Sequence, residues 1–230
     1  MTFGSEELSR AFYEALGADG LAARTCPEWD ALILGDLAQL LSPRSRILDV
    51  GCGYGRIAVP LALAGHRVAG LDLSETMVRA AQTAAEAAGV SIAFVVGSMT
   101  EMPYADSSFD GVLCLWSAFH ELLHETEQEQ ALREMWRVLA PGGLAIVEGA
   151  LYTPPTEHEI LAGERAGDGH RVRRDVIEGH LNPHYAHDAS TYEQRSQQAG
   201  ITSFAVEERE WGGRTRLLLL TRKLGKAAEG

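Results

Sequence analysis

Three glycines, Gly51, Gly53 and Gly55, stand at alternate positions in ILDVGCGYGRIAVPLA, just behind an apolar run ending at Val50. A backbone without side chains admits a ligand to close approach, and glycine accepts the positive φ that a sharp bend requires. Asp49 precedes the bend, and a second carboxylate, Asp72, follows 23 residues later at the end of HRVAGLDL. That separation suits an acidic residue that accepts the hydroxyl protons of a ribose. A dinucleotide fingerprint reads G-x-G-x-x-G, its last glycine packing the helix below a pyrophosphate. Here Arg56 holds that place. The pattern therefore asks for a nucleoside without a diphosphate.

A second set of polar residues lies further along. WSAFHELLHE supplies His120 and Glu121, and a positioned histidine or carboxylate can take a proton at neutral pH. Both are candidate catalytic residues; the competing readings are a histidine that holds a loop and a glutamate that caps or faces solvent. EGHLNPHYAHD brings His180, His184 and His187 close in sequence, but Pro183 opposes the regular helix that would align them on a metal, so no metal site is expected. Arg171, Arg173 and Arg174 could meet a substrate carboxylate, although such a run is more often a wet face. Cys52 reads as a small buried spacer, since nothing beside it in sequence would lower a thiol pKa.

The elements that must position these residues alternate. EELSRAFYEAL and CPEWDALILGDLAQLLS have helical apolar spacing, with Pro27 suited to a first turn. RILDV is a strand, GRIAVPLALAG a helix and HRVAGLDL a second strand; SETMVRAAQTAAEAAG follows as a helix with Ser74 as N-cap and Gly89 beyond its end. VSIAFVVGS and FDGVLCLW are the third and fourth strands, ETEQEQALREMWRVLAPGG a helix stopped by Pro141-Gly142-Gly143, and LAIVEGA the fifth strand. This alternation implies right-handed crossovers and a doubly wound, mostly parallel α/β sheet. From Tyr152 to about Ala189 the rhythm breaks into an insertion rich in histidine, arginine and proline. STYEQRSQQAG then resumes as a helix, and SFAVEEREWGGRTRLLLLTRK is a hairpin turning at Gly212-Gly213.

Composition sets the bounds. At 230 residues and 46% hydrophobic content the chain can bury one sizeable core. A formal charge of −12 argues against nucleic acid or an anionic membrane as partner. Cys26, Cys52 and Cys114 are too scattered for a disulfide framework or a zinc ribbon, which reads as a reducing, cytoplasmic setting. No leader-like or membrane-spanning run is visible.

Four stretches, taken in order, resemble the class I S-adenosylmethionine-dependent methyltransferases, in the branch that methylates small molecules. They are ILDVGCGYG, GLDLSETMVRAA, GSMTEMPYADSSFDGVLC and LREMWRVLAPGGLAIVE. The resemblance implies a Rossmann-like, seven-stranded sheet closed by an antiparallel C-terminal hairpin. One domain spans 1–230, with cap helices over 1–45, a cofactor-binding core over 46–150, an acceptor lid over 151–190, and the last helix and hairpin over 191–230. It implies S-adenosyl-L-methionine as cofactor and S-adenosyl-L-homocysteine as product. Asp49, Gly51, Cys52 and Gly53 would hold the methionyl end, Asp72 the ribose, and Leu73 with Met77 the adenine side. Ser98 and Met99 fall where an acidic residue and a backbone N–H usually meet the adenine, and Ser98 departs by lacking a charge. Trp116 and Ser117 would lie near the sulfonium. Phe12, Tyr13, Trp29, His120, His180, His184 and Tyr185 would meet the acceptor.

The expected reaction is methyl transfer to oxygen or nitrogen of a small molecule by a monomer or homodimer. A catalytically silent cofactor-binding partner or regulator is the alternative, and a nicotinamide-dependent oxidoreductase, disfavoured by Arg56, is a third.

Overall fold

In the computed structural model, residues 4–211 and 214–224 are described, without the side chains of Asp168 and Trp211. The turn expected at Gly212-Gly213 lies outside them. The chain runs α1 (Ser5–Ala22), α2 (Pro27–Leu40), β1 (Arg46–Val50), α3 (Ala58–Leu63), β2 (Arg67–Asp72), α4 (Glu75–Ala87), β3 (Ala93–Val96), β4 (Phe109–Cys114), α5 (Glu125–Val138) and β5 (Leu139–Ala150). Then come α6 (Glu157–Leu161), β6 (Arg165–Ala166), β7 (Val172–Ile177), β8 (His180–Tyr185), α7 (Ala189–Gln198), β9 (Phe204–Trp211) and β10 (Arg214–Arg222).

Seven strands form one sheet in the order β3-β2-β1-β4-β5-β10-β9. The first five are parallel, and β10 runs antiparallel to both β5 and β9. Both faces of the central strands are covered, so these carry near-continuous apolar runs in which successive residues serve opposite cores. Leu48 and Val50 of β1 pack with α5 and α7, whereas Ile47 packs with α2, α3 and α4. Leu217 and Leu219 repeat the first choice on β10 and Leu218 the second. No helix among the described residues is long and apolar enough to cross a membrane.

Local signals account for most boundaries. The Ser74 hydroxyl accepts the Met77 N–H at 3.2 Å and caps α4, and Gly89, at φ +70°, turns the chain just beyond its end. Pro60 sits in the first turn of α3, where no intrahelical donor is lost. The helix α5 ends at Val138, and Pro141-Gly142-Gly143 lie inside the irregular start of β5, where its register against β4 shifts.

The insertion has secondary structure of its own. Within it, 165–185 forms a separate three-stranded antiparallel sheet, β6-β7-β8. Glu178 and Gly179, both at positive φ, make its two-residue turn. Pro183 lies within β8, which packs against α1.

Candidate active site

The order of the sheet reverses between β1 and β4, and in doubly wound sheets ligands bind beyond the carboxyl ends of the strands at that point. A cavity of about 320 Å³ opens there, within the range of small-ligand sites. Asp49, Gly51, Cys52, Gly53, Asp72, Leu73, Met77, Ser98, Met99, Trp116 and Ser117 all line it, so the separate sequence stretches converge on one space. Tyr13, Trp29 and Glu121 join them.

The bend after β1 is built for close approach. At φ +70° a Cβ on Gly51 would meet the Ala118 Cβ at 2.5 Å. The Gly53 N–H donates to Asp72 Oδ2 at 2.8 Å and the Ser74 N–H to Oδ1 at 2.9 Å, so the two strand tips are tied together by one carboxylate. Asp49 is 3% exposed. Burial, followed by the charge of Asp72, pushes its carboxyl up to about 7, while Arg56 and a hydrogen bond from the Ala58 backbone pull it down. Burial also pushes the Cys52 thiol well up, which suits a spacer rather than a nucleophile.

The helix α1 lines the cavity and is pinned in its first turn and at its middle. Ser5 bonds Glu127 and accepts the Leu123 N–H at 2.8 Å. Glu14 accepts from Ser74 at 2.8 Å and from Thr76. Between these, Glu6 accepts the hydroxyls of Ser98 and, at 3.1 Å, Thr100. The charge that Ser98 lacks thus arrives from another element. Tyr13 donates to Glu121 Oε1 at 3.1 Å, while Glu121 Oε2 is enclosed and has no partner by hydrogen-bond geometry. Burial is the main reason that the Glu121 carboxyl is pushed up to about 8 and the Tyr13 phenol well above its ordinary value.

The tip of β4 holds two successive left-handed residues, Trp116 at φ +57° and Ser117 at φ +64°. Such a pair persists only where its surroundings hold it. Glu148 on β5 accepts the Trp116 N–H at 2.6 Å and also bonds Arg216, which donates to Ser117 Oγ at 2.9 Å.

Several expected residues lie elsewhere. His120 is fully buried and outside the cavity wall; its Nε2 is 2.9 Å from the Tyr192 hydroxyl and its ring fills the space against Gly149. Burial drives its pKa well below the usual histidine value, so it is held neutral in the core. His180, His184 and Tyr185 belong to β8, which packs against α1, and none of them lines the cavity. Phe12 is a core residue, edge-on to Tyr13. Arg171 pairs with Asp188 and Arg173 with Asp175, both away from the cavity lining.

Sequence reasoning missed Glu6, Arg24, Arg214 and Arg216 as lining residues, and it used Arg56 only to exclude a pyrophosphate. The i, i+2 spacing of Arg214 and Arg216 puts them on one face of a strand, but only the pairing of β10 with β5 brings that face to the cavity. Two separated carboxylates, a bare bend and the apolar side chains of Leu73, Met77 and Met99 form a donor set that fits a nucleoside lacking a diphosphate.

Residues 47–143 match the family model of the methyltransferase domain. A Geobacillus sp. (strain WCH70) protein with a provisional methyltransferase name is 33% identical over 191 residues, 70% of this chain and 75% of the relative. The 27-O-demethylrifamycin SV methyltransferase of Amycolatopsis mediterranei is 35% identical over 176 residues, covering 70% of this chain and 63% of that protein, just under two thirds of its length. Among solved structures, the 1,6-didemethyltoxoflavin-N1-methyltransferase of Burkholderia thailandensis, with its substrate and S-adenosylhomocysteine bound, superposes with a TM-score of 0.71 at 19% identity, covering 97% of this chain and 92% of that one. That likeness establishes a shared fold.

Proposed function

The chain belongs to the class I S-adenosylmethionine-dependent methyltransferases, and from that premise we propose that it methylates an oxygen or nitrogen of a small molecule. The observation that carries this reading is the convergence of Asp49, Gly51, Gly53 and Asp72 on one cavity at the switch point. The O-methyl and N1-methyl chemistries named for the Amycolatopsis and Burkholderia enzymes support a small acceptor of this kind.

When bound, S-adenosylmethionine supplies an electrophilic methyl group on a sulfonium. The residues divide the remaining work. Asp49 and the Gly51–Gly53 backbone hold the methionyl end, and Asp72 accepts the ribose hydroxyls. Leu73, Met77 and Met99 would enclose the purine, and Glu6, held by Ser98 and Thr100, would meet its polar edge. Trp116 and Ser117 border the reacting centre. Direct displacement needs alignment in a dry space more than it needs a covalent residue. An acceptor that must lose a proton gives it to Glu121, whose carboxyl near 8 is matched to neutral or mildly alkaline conditions. His120, neutral and walled off, takes no part.

The test is calorimetry with S-adenosylmethionine, S-adenosylhomocysteine and NAD, followed by transfer of labelled methyl to a panel of amines, phenols and carboxylic acids. Micromolar binding of the first two but not NAD, lost in Asp72→Ala, and labelling of an acceptor are the expected results. Binding with no transfer to any acceptor would favour the silent partner; unchanged affinity in Asp72→Ala would overturn the site.

A further inference from the structure

The strand order separates the cavity into two ends. The ribose-side carboxylate, Ser98 and Glu6 gather at the tips of β2 and β3, whereas beyond β4 the wall comes from α2, β4 and β10. That second wall has a chemistry of its own. The indoles of Trp29 and Trp116 stack with centroids 5.7 Å apart and planes 29° from parallel. Arg214 lies over Trp29 and Arg56 over Trp116, each at 3.9 Å, and Arg216 is 5.9 Å from the Trp116 ring.

The charges on this wall do not cancel. Arg56 is paired with Asp30 at 2.8 Å, and Arg216 with Glu148. Arg214 has neither an ion pair nor a hydrogen bond among the described residues, and its spacing of two from Arg216 puts both on the same face of β10. The Trp116 indole N–H, shut away from solvent, likewise has no acceptor. An exposed cation and a buried donor, both without partners among the described residues, thus flank the stacked indoles in a protein whose net charge is −12. A guanidinium presents a planar fork that matches a carboxylate, and an indole edge packs against the face of a planar ring.

The geometry points to an aromatic carboxylate as the acceptor class: its ring meets the edge of the Trp29–Trp116 stack, where the unpartnered Trp116 N–H lies, and its carboxylate is held by Arg214, with Arg216 alongside. This rests on the methyl-transfer reading, because it assigns the acceptor to the end of the cavity left by the nucleoside. The carboxylate is the handle that selects the molecule.

The experiment uses the full chain saturated with S-adenosylhomocysteine. Calorimetry compares 4-hydroxybenzoate, 3,4-dihydroxybenzoate and 2-aminobenzoate with their neutral carboxamides. At least one acid should bind ten or more times tighter than its amide. Arg214→Ala should weaken that acid about tenfold while leaving S-adenosylhomocysteine affinity unchanged, and Arg214→Lys should recover part of the loss. Unchanged cofactor affinity in both variants certifies that the hairpin is intact. Equal binding of acids and amides, no binding of any acid, or full acid affinity in Arg214→Ala overturns the proposal while methyl transfer stands. Failure of wild-type protein to bind S-adenosylhomocysteine removes both readings.

Discussion

The Glu148 carboxylate, on the fifth strand of the sheet, accepts the backbone N–H of Trp116 at 2.6 Å from a position only 1% exposed. Its other oxygen bonds Arg216, so one buried acid holds the left-handed Trp116–Ser117 pair and the cationic wall at once. Removing one partner of a buried pair leaves the other uncompensated, at a typical loss of about 3–5 kcal/mol. Glu148→Ala is therefore expected to lower the thermal unfolding midpoint sharply, and Glu148→Gln, which still accepts the Trp116 N–H, to lower it less. Equal midpoints for both variants would show that the charge is the whole contribution.

Gly51→Ala adds a methyl 2.5 Å from the Ala118 side chain at a φ of +70°. Left-handed backbone alone costs an L-residue roughly 1–2 kcal/mol. Cofactor affinity should fall at least tenfold, read by calorimetry with S-adenosylhomocysteine. Wild-type affinity would mean that the bend tolerates a side chain and is not the cradle.

Asp49 links binding to protons. Its folded value of about 7 lies above an unfolded carboxyl near 4, so its contribution to stability is complete below about 4 and is lost as pH rises through about 7. Glu121, at about 8, behaves in the same sense. Raising the pH from 6 to 9 should therefore lower the stability of the ligand-free wild type more than that of Asp49→Asn. A bound ammonium or sulfonium favours the ionised carboxylate, so cofactor binding at pH 7 should release about half a proton. Titration in buffers of different ionisation heat measures it, and Asp49→Asn should release none from this site.

Glu121 and His120 separate by the kind of damage they cause. Glu121→Gln should reduce kcat on the order of 10²-fold and abolish a rise in rate with pH centred near 8. His120→Phe keeps a ring against Gly149 but strands the Tyr192 hydroxyl, at about 1–3 kcal/mol of stability. Its rate per folded molecule should stay close to wild type. A loss in kcat for His120→Phe equal to that of Glu121→Gln would return catalysis to the histidine.

The alternating pattern of apolar runs, caps and glycines was enough to read the α/β order, because each of those signals acts within a turn or two of the chain. Ser74 caps its helix through a neighbour three residues away, and β1 begins and ends where RILDV does. The cavity-lining residues were legible for the same reason: Asp49, Gly51, Gly53 and Asp72 sit at strand tips, and a doubly wound sheet gathers those tips at one edge. What sequence could not decide was which distant side chains share that edge. Glu6 reaches Ser98 across 92 residues and Arg216 reaches Ser117 across 99, contacts set by how α1 crosses the sheet and how β10 registers on β5. The histidines were misplaced for the complementary reason. The family resemblance put them beside the acceptor, but pairing within β7 and β8 turned His180 and His184 onto a second sheet, and the packing of Gly149 and Tyr192 drew His120 into the core. Backbone periodicity determined the scaffold, whereas long-range packing, which no local pattern encodes, decided which charges line the cavity.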